Sequence, residues 1–261
     1  MKHLLYCIAR TRETGKTSCP LGVERQPVSL VTGGSLSAVV SGIAGVDLAP
    51  DLPRILAYEK VVEAFHRVDT VIPMRYGCLL EEKSAIIRFL EERRPLYEGL
   101  LEEMDGCEEM GIRLIPERAD AVAMRAVHPY SPRKGSAREI LRTGDSPFPC
   151  QSGRAYLAAQ KERYAAQDRL THEEEETAAR VCAHLSGLFV RRKIESSELS
   201  GNRLISLYFL VPRGSVQAFR MAFRHICSLK MPRILLSGPW PPYNFARTDR
   251  SKPRGDLSLG A

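Results

Sequence analysis

A chain of 261 residues is long enough for a packed core and falls between one ordinary domain and two. Its 44% apolar and 26% charged residues are those of a soluble globular protein, and its longest apolar runs, such as LISLYFLV, are far too short to span a bilayer. The net charge of +7 is uneven, −2 over residues 1–107 and +9 over residues 108–261, so the second half has the charge to meet an acidic protein, a nucleic acid or a membrane surface, and charge alone does not choose among them.

In chain order, HLLYCIA (3–9) predicts a first strand, rich in apolar and aromatic residues. The opening turns charged without a small-residue cleavage site, so a signal peptide is not expected. PVSLVT (27–32) and LSAVVSGI (36–43) predict two strands of a hairpin turning at Gly33-Gly34. A helix is expected from Asp51, a good N-cap, with Pro53 in its first turn and Ile55, Tyr58, Val62 and Phe65 on one face. TVIPMRYGCLL (70–80) reads as a strand that Pro73 confines to an edge or a bulge. Ser84 is the expected cap of the next helix, whose apolar face holds Ile86, Phe89 and Leu90. Pro95 should kink or restart it before it runs on to about Asp105.

Gly106 marks a boundary, and EEMGIRLIP (108–116) opens a second unit as a strand. Residues 117–152, rich in Pro, Gly and Ser, predict a loop-rich insertion with one short helix near 136–142. The longest helical pattern runs over 153–188, with Ala178, Val181, Cys182, Leu185 and Leu188 as its apolar stripe. Strands at 189–196 and 203–211 follow around Ser200-Gly201-Asn202. A helix over 213–229 then turns Val216, Phe219, Phe223 and Ile226 inward and Arg213, Gln217, Arg220 and Arg224 outward. RILLSG (233–238) is the last strand, and the polar tail 246–261 carries four basic and two acidic residues. The expected architecture is therefore α+β in two domains. Residues 1–106 read β-β-β-α-β-α, a modified ferredoxin-like order. Residues 107–245 read β-α-β-β-α-β, the split-βαβ or ferredoxin-like order.

Chemistry-bearing motifs are scarce. ETGKT (13–17) has Arg10 where a phosphate loop needs its first glycine, and Pro20 interrupts the helix that should follow. VTGGSL is too short for a dinucleotide fingerprint. Seven cysteines, odd in number and at least 12 residues apart, contain no C-x-x-C pair and fit a reducing cytoplasm. The six histidines have no second ligand at metal spacing, and no serine sits in G-x-S-x-G. The expectation is a protein without catalytic site, metal or cofactor. VIPMRYG joins a strand break, a guanidinium and a sharp turn. Arg75 there is expected to make a structural ion pair, with partner binding by Arg75 and Tyr76 as the alternative. The face Arg213, Arg220, Arg224 reads as a solvated helix surface or as a basic face that steers an acidic partner. In SGPWPPYNFA (237–246), Pro239, Pro241 and Pro242 stiffen the exit from the last strand. Trp240, Tyr243 and Phe245 are expected to clasp back onto the protein, the alternative being an aromatic row turned to a partner.

TVIPMRYG, GRAYLAAQKER, RLISLYFLVPRGSVQAF and ILLSGPWPPYNFA, together with the opening HLLYCIA, resemble in order the GvpL/GvpF family of gas vesicle proteins from about residue 3 to 246. Met110 stands where that family usually has tryptophan, and residues 117–152 are longer than its pattern. The resemblance implies a non-enzymatic, cytoplasmic or vesicle-associated accessory protein of two α+β domains. It would bind the hydrophobic shell protein GvpA, together with other vesicle proteins, and aid nucleation or assembly or join the shell as a minor component. No small-molecule substrate, nucleic acid or membrane is expected as partner. The alternative function is a nucleic-acid-binding module using the basic second half.

Overall fold

The computed structural model describes residues 2–11, 19–43, 48–115, 170–199, 202–228 and 233–246. The expected insertion 117–152, the helical pattern over 153–169, the ETGKT stretch and the tail beyond residue 246 lie outside the described residues.

The first unit is built on strand β1 (Lys2–Arg10), which pairs antiparallel with β3 (Leu36–Ile43), itself paired with β2 (Val28–Gly33). The β2–β3 turn is Gly34-Ser35, one residue later than the sequence places it. Gly34 has φ 69°, a left-handed conformation that glycine adopts without steric cost. Helix α1 (Leu52–Val68) starts as expected, with Asp51 accepting from the backbone N–H of Arg54 at 2.8 Å and proline in its first turn. Pro95 restarts the following helix, so α2 (Lys83–Glu92) and α3 (Arg94–Glu103) are separate. Ser84 is not the cap of α2. Glu82 holds that position, and the Ser84 hydroxyl donates to the Glu82 side chain from inside the first turn.

Six consecutive residues of β1, Leu4 to Ala9, are buried because helices cover both faces of this sheet. Leu4, Tyr6, Cys7 and Ala9 pack on the side of α1, with Tyr58, Val61 and Val62. Leu5 and Ile8 pack on the other side, with Ile86, Leu90 and Leu101. Tyr6 and Cys7 share a side because the register with β3 slips between Leu5 and Cys7, a bulge that breaks the period of two.

The single strand expected over 70–80 is two short ones. β4 (Val71–Pro73) and β5 (Leu79–Leu80) both pair with β1, and the chain arches out between them. The arch is tied at each foot: Met74 N–H donates to the Tyr6 carbonyl and Leu5 N–H to that of Cys78, each at 2.9 Å. Pro73, opposite Cys7, is the last residue of β4, and without an N–H it has no hydrogen to donate to the ladder.

The second unit is a four-stranded antiparallel sheet in the order β7 (Arg191–Leu199), β8 (Asn202–Pro212), β6 (Cys107–Ile115), β9 (Arg233–Trp240). Helices α4 (His172–His184) and α5 (Val216–Ser228) belong to the same unit, with two hydrophobic faces turned to one side of that sheet. Met110, Ile112, Leu207, Phe209 and Val211 meet Val181, Leu185, Phe219, Phe223 and Ile226 there. The described part of the long helical pattern begins afresh. Thr171 and Glu174 form a capping box, so the acids of the 173–176 run open α4 rather than lying midway along it. Glu174 also takes two hydrogen bonds from Arg203, at 2.7 and 3.0 Å.

Candidate functional site at the junction of the two sheets

Two consecutive acids on β6 point to opposite faces of the second sheet, as strand alternation requires. Glu108 lies within 2.9 Å of His66 Nε2 from the end of α1 and within 3.2 Å of Arg213 Nε. Arg213 also donates to the His66 carbonyl. Beside them the Gly106 N–H donates to Thr70 Oγ1, whose hydroxyl donates to Asp105, and Asp105 also pairs with Arg10 at 2.8 Å. Both units thus contribute to one polar network around the boundary expected at Gly106.

On the opposite face, Glu109 is only 4% exposed. Its carboxylate accepts from the Asn244 backbone N–H at 2.8 Å and from Asn244 Nδ2 at 2.6 Å. Burial, opposed by those two donors, pushes the Glu109 carboxyl up to about 7. Asn244 belongs to a tight turn, Pro241 to Ala246, closed by Phe245 N–H and Ala246 N–H donating to the Pro242 carbonyl at 3.2 and 3.0 Å. Pro241 and Pro242 are buried. Phe245, 3% exposed, enters the hydrophobic cluster of Leu5, Ile8, Leu101 and Leu210, which draws on both units. Arg191 lies over its ring at 5.7 Å and pairs with Glu103. Tyr243 packs with Leu4, Tyr6 and Tyr58, and burial drives its phenol far above the usual range.

Trp240 differs from its two aromatic neighbours. It ends β9 opposite Glu109, at the open edge of the sheet, and is 51% exposed. The strand reaches that position through a register slip between Glu109 and Gly111. Gly238, with φ 106°, makes the slip feasible, since a Cβ there would sit 2.6 Å from the Glu109 carbonyl oxygen. Leu235, on the same strand, is 45% exposed.

The other expected residues are distributed rather than gathered. Arg75 is exposed on the arch between β4 and β5, and no carboxylate among the described residues pairs with it. Tyr76 turns inward, its ring set edge-on to Tyr58 at 5.4 Å, with its hydroxyl buried and unbonded among the described residues. Tyr76 and Tyr243 therefore meet in one cluster while Arg75 and Trp240 stay outside. The three arginines expected to share a helix face separate. Arg213 enters the junction, Arg220 donates to the Gly238 carbonyl at 3.1 Å, and Arg224 is exposed, donating to Met221 Sδ at 3.7 Å. Glu109 and Asn244 were missed by sequence reasoning. The available signal was an acid pair, Glu108-Glu109, inside a strand otherwise destined for burial.

Among the described residues no cluster of three His, Cys, Asp or Glu side chains could hold a metal ion, and no helix is long and apolar enough to cross a membrane. The described cysteines are free.

Comparison with known proteins bears on what those surfaces serve. Gas vesicle proteins F and L of one Streptomyces strain are each 25% identical to this chain. The alignment with the first covers 86% of this chain and 90% of the relative, and with the second 86% and 85%. The crystal structure of gas vesicle protein GvpF from Microcystis aeruginosa superposes with a TM-score of 0.67 at 14% identity, covering 95% of this chain and 99% of that one, so the mixed α+β fold with antiparallel sheets is shared. The model of the gas vesicle synthesis protein GvpL/GvpF family matches residues 2–247, and the chain belongs to that family.

Proposed function

We propose that this chain is a non-enzymatic accessory protein of gas vesicle formation that acts in the cytoplasm or at the vesicle and binds the shell protein GvpA directly during nucleation or assembly. Residues 1–106 and 107–245 act as two ferredoxin-like domains, with Tyr243 and Phe245 clasping them together and the edge of β9 left for the partner. The reading is carried by one observation. The chain's only tryptophan, Trp240, is 51% exposed at the end of an edge strand, while Tyr243 and Phe245 beside it are drawn into the core. A half-exposed indole on a strand held by proline and by the Arg220 hydrogen bond loses little freedom on binding. An unpaired strand edge offers backbone groups to a strand of an apolar, self-associating partner. Two of the three basic-face arginines are engaged inside the protein, which favours this reading over nucleic-acid binding.

The test is coexpression of GvpA with the wild-type chain and with Trp240→Ala, followed by pull-down, with folding checked by circular dichroism. Capture by the wild type and a loss of about ten-fold or more in the folded variant is the expected result. Equal capture by both moves the contact to the arch around Arg75. No capture by the wild type defeats direct binding and leaves an adaptor role through other vesicle proteins.

A further inference from the structure

Glu109 is the only buried carboxylate among the described residues, and both of its oxygens are held by a single residue of the C-terminal turn. Among the described residues no cation forms an ion pair with it, and the nearest favourable charge is Lys193. Lys193 faces it from β7 but is paired with Glu195 at 2.9 Å, and Arg191 of the same strand is engaged by Glu103 and Phe245. Tyr208 faces it from β8 and Tyr243 from the turn itself. Behind Tyr243 stand Glu59 and Glu63 of α1 and Cys7 of β1. From β9 the opposing residue is the uncharged Trp240. The turn that covers this carboxyl is also what packs Phe245 and Tyr243 onto the first unit.

We propose that Glu109 and the turn Pro241–Ala246 form a proton-linked latch, in which the neutral carboxyl keeps the turn seated on the junction and ionisation of the carboxyl loosens it. The physical reason is an exchange of solvents. With the turn seated, an ionised Glu109 has two N–H donors and little water. With the turn lifted, water reaches both oxygens and solvates the anion better than Asn244 does. The ionised form therefore favours the lifted turn. The neutral acid keeps one oxygen as acceptor from Asn244 and carries no charge to be solvated, so covering it costs less than covering the anion. Seated, the carboxyl titrates near 7, and lifted, it returns to its ordinary value of 4.5. Linkage then makes the seating equilibrium about ten-fold weaker at pH 8 than at pH 6. The latch belongs to the folded chain alone and operates without any partner.

Hydrogen exchange at the Asn244 amide reads the seating equilibrium directly, because that N–H is the donor to Glu109. On the full chain, its protection, corrected for the intrinsic pH dependence of exchange, should fall about ten-fold between pH 6 and pH 8. Glu109→Gln, uncharged at every pH, should abolish that fall. Protection that does not change with pH in the wild type overturns the proposal. So does the same fall persisting in the Gln variant, which would place the titration elsewhere. A carbon-13 titration of the Glu109 carboxyl in the wild type checks the premise without any variant, and an ordinary carboxylate midpoint sinks the latch.

Discussion

The two sheets of this protein meet water in different ways. In the first, β1 and β3 are buried almost end to end because helices lie on both faces. In the second, the described helices cover one face, and β9 alternates between half-buried Ile234 and Leu236 and exposed Leu235 and Ser237. The first unit and the C-terminal turn close only part of the second face, over Leu210 and Glu109. The contrast teaches that the centre of the first sheet is enclosed on both faces, whereas the second, among the described residues, leaves one face partly open and a half-exposed tryptophan on its edge strand β9.

That contrast can be broken at the turn. Phe245→Ala removes a nearly buried ring from the cluster that both units share, and should cost about 3–5 kcal/mol in denaturant unfolding. If the turn is a real fastener, the variant should also release the two units to unfold in separate steps. A loss below about 1 kcal/mol would mean that the units hold together without it.

The next effect in size is set by pH. Glu109 titrates at about 7 when folded and at 4.5 by its ordinary value, so between these values the folded chain holds a proton that the unfolded chain has released. Its contribution is therefore fully present below about pH 4.5 and is lost as pH rises through 7, by about 3 kcal/mol in all. The check is the difference in unfolding free energy between wild type and Glu109→Gln across pH 4.5–8. A difference that stays constant over that window would contradict the assignment.

Smaller changes sharpen the comparison. Thr171→Ala removes one side of the capping box that opens α4, and about 1 kcal/mol of stability should go with it in the second unit alone. Hydrogen exchange should show the loss in α4 and not in β1. Trp240→Ala should alter stability least, within about 0.5 kcal/mol, because the side chain is half in water already. A loss several times larger would show that Trp240 is a fastener like its neighbours, and would remove it from the partner surface.

Much of the fold was legible one element at a time. Asp51 with Pro53, and Pro95, marked a helix start and a helix restart because these residues act on their own backbone. The failures have equally local causes. Ser84 looked like a cap, but Glu82 took the position. The 70–80 strand read as continuous because its apolar residues carry on past Pro73, while pairing with β1 does not. Of the candidate site, the expectation that SGPWPPYNFA clasps back was half of the arrangement. Tyr243 and Phe245 clasp and Trp240 does not.

What the sequence determined by itself was the mixed α+β class, most of the described elements in their order, and the family, since each depends on spacing, propensity or a motif within a few residues. Tertiary structure alone decided which aromatics of the last segment are buried and which arginines are free. It also brought a carboxylate at position 109 under an amide at position 244, at 2.6 Å. Those outcomes rest on contacts between residues far apart in the chain. Burial, which sets the state of Glu109 and the exposure of Trp240, is a property of the assembled sheets and not of any one stretch.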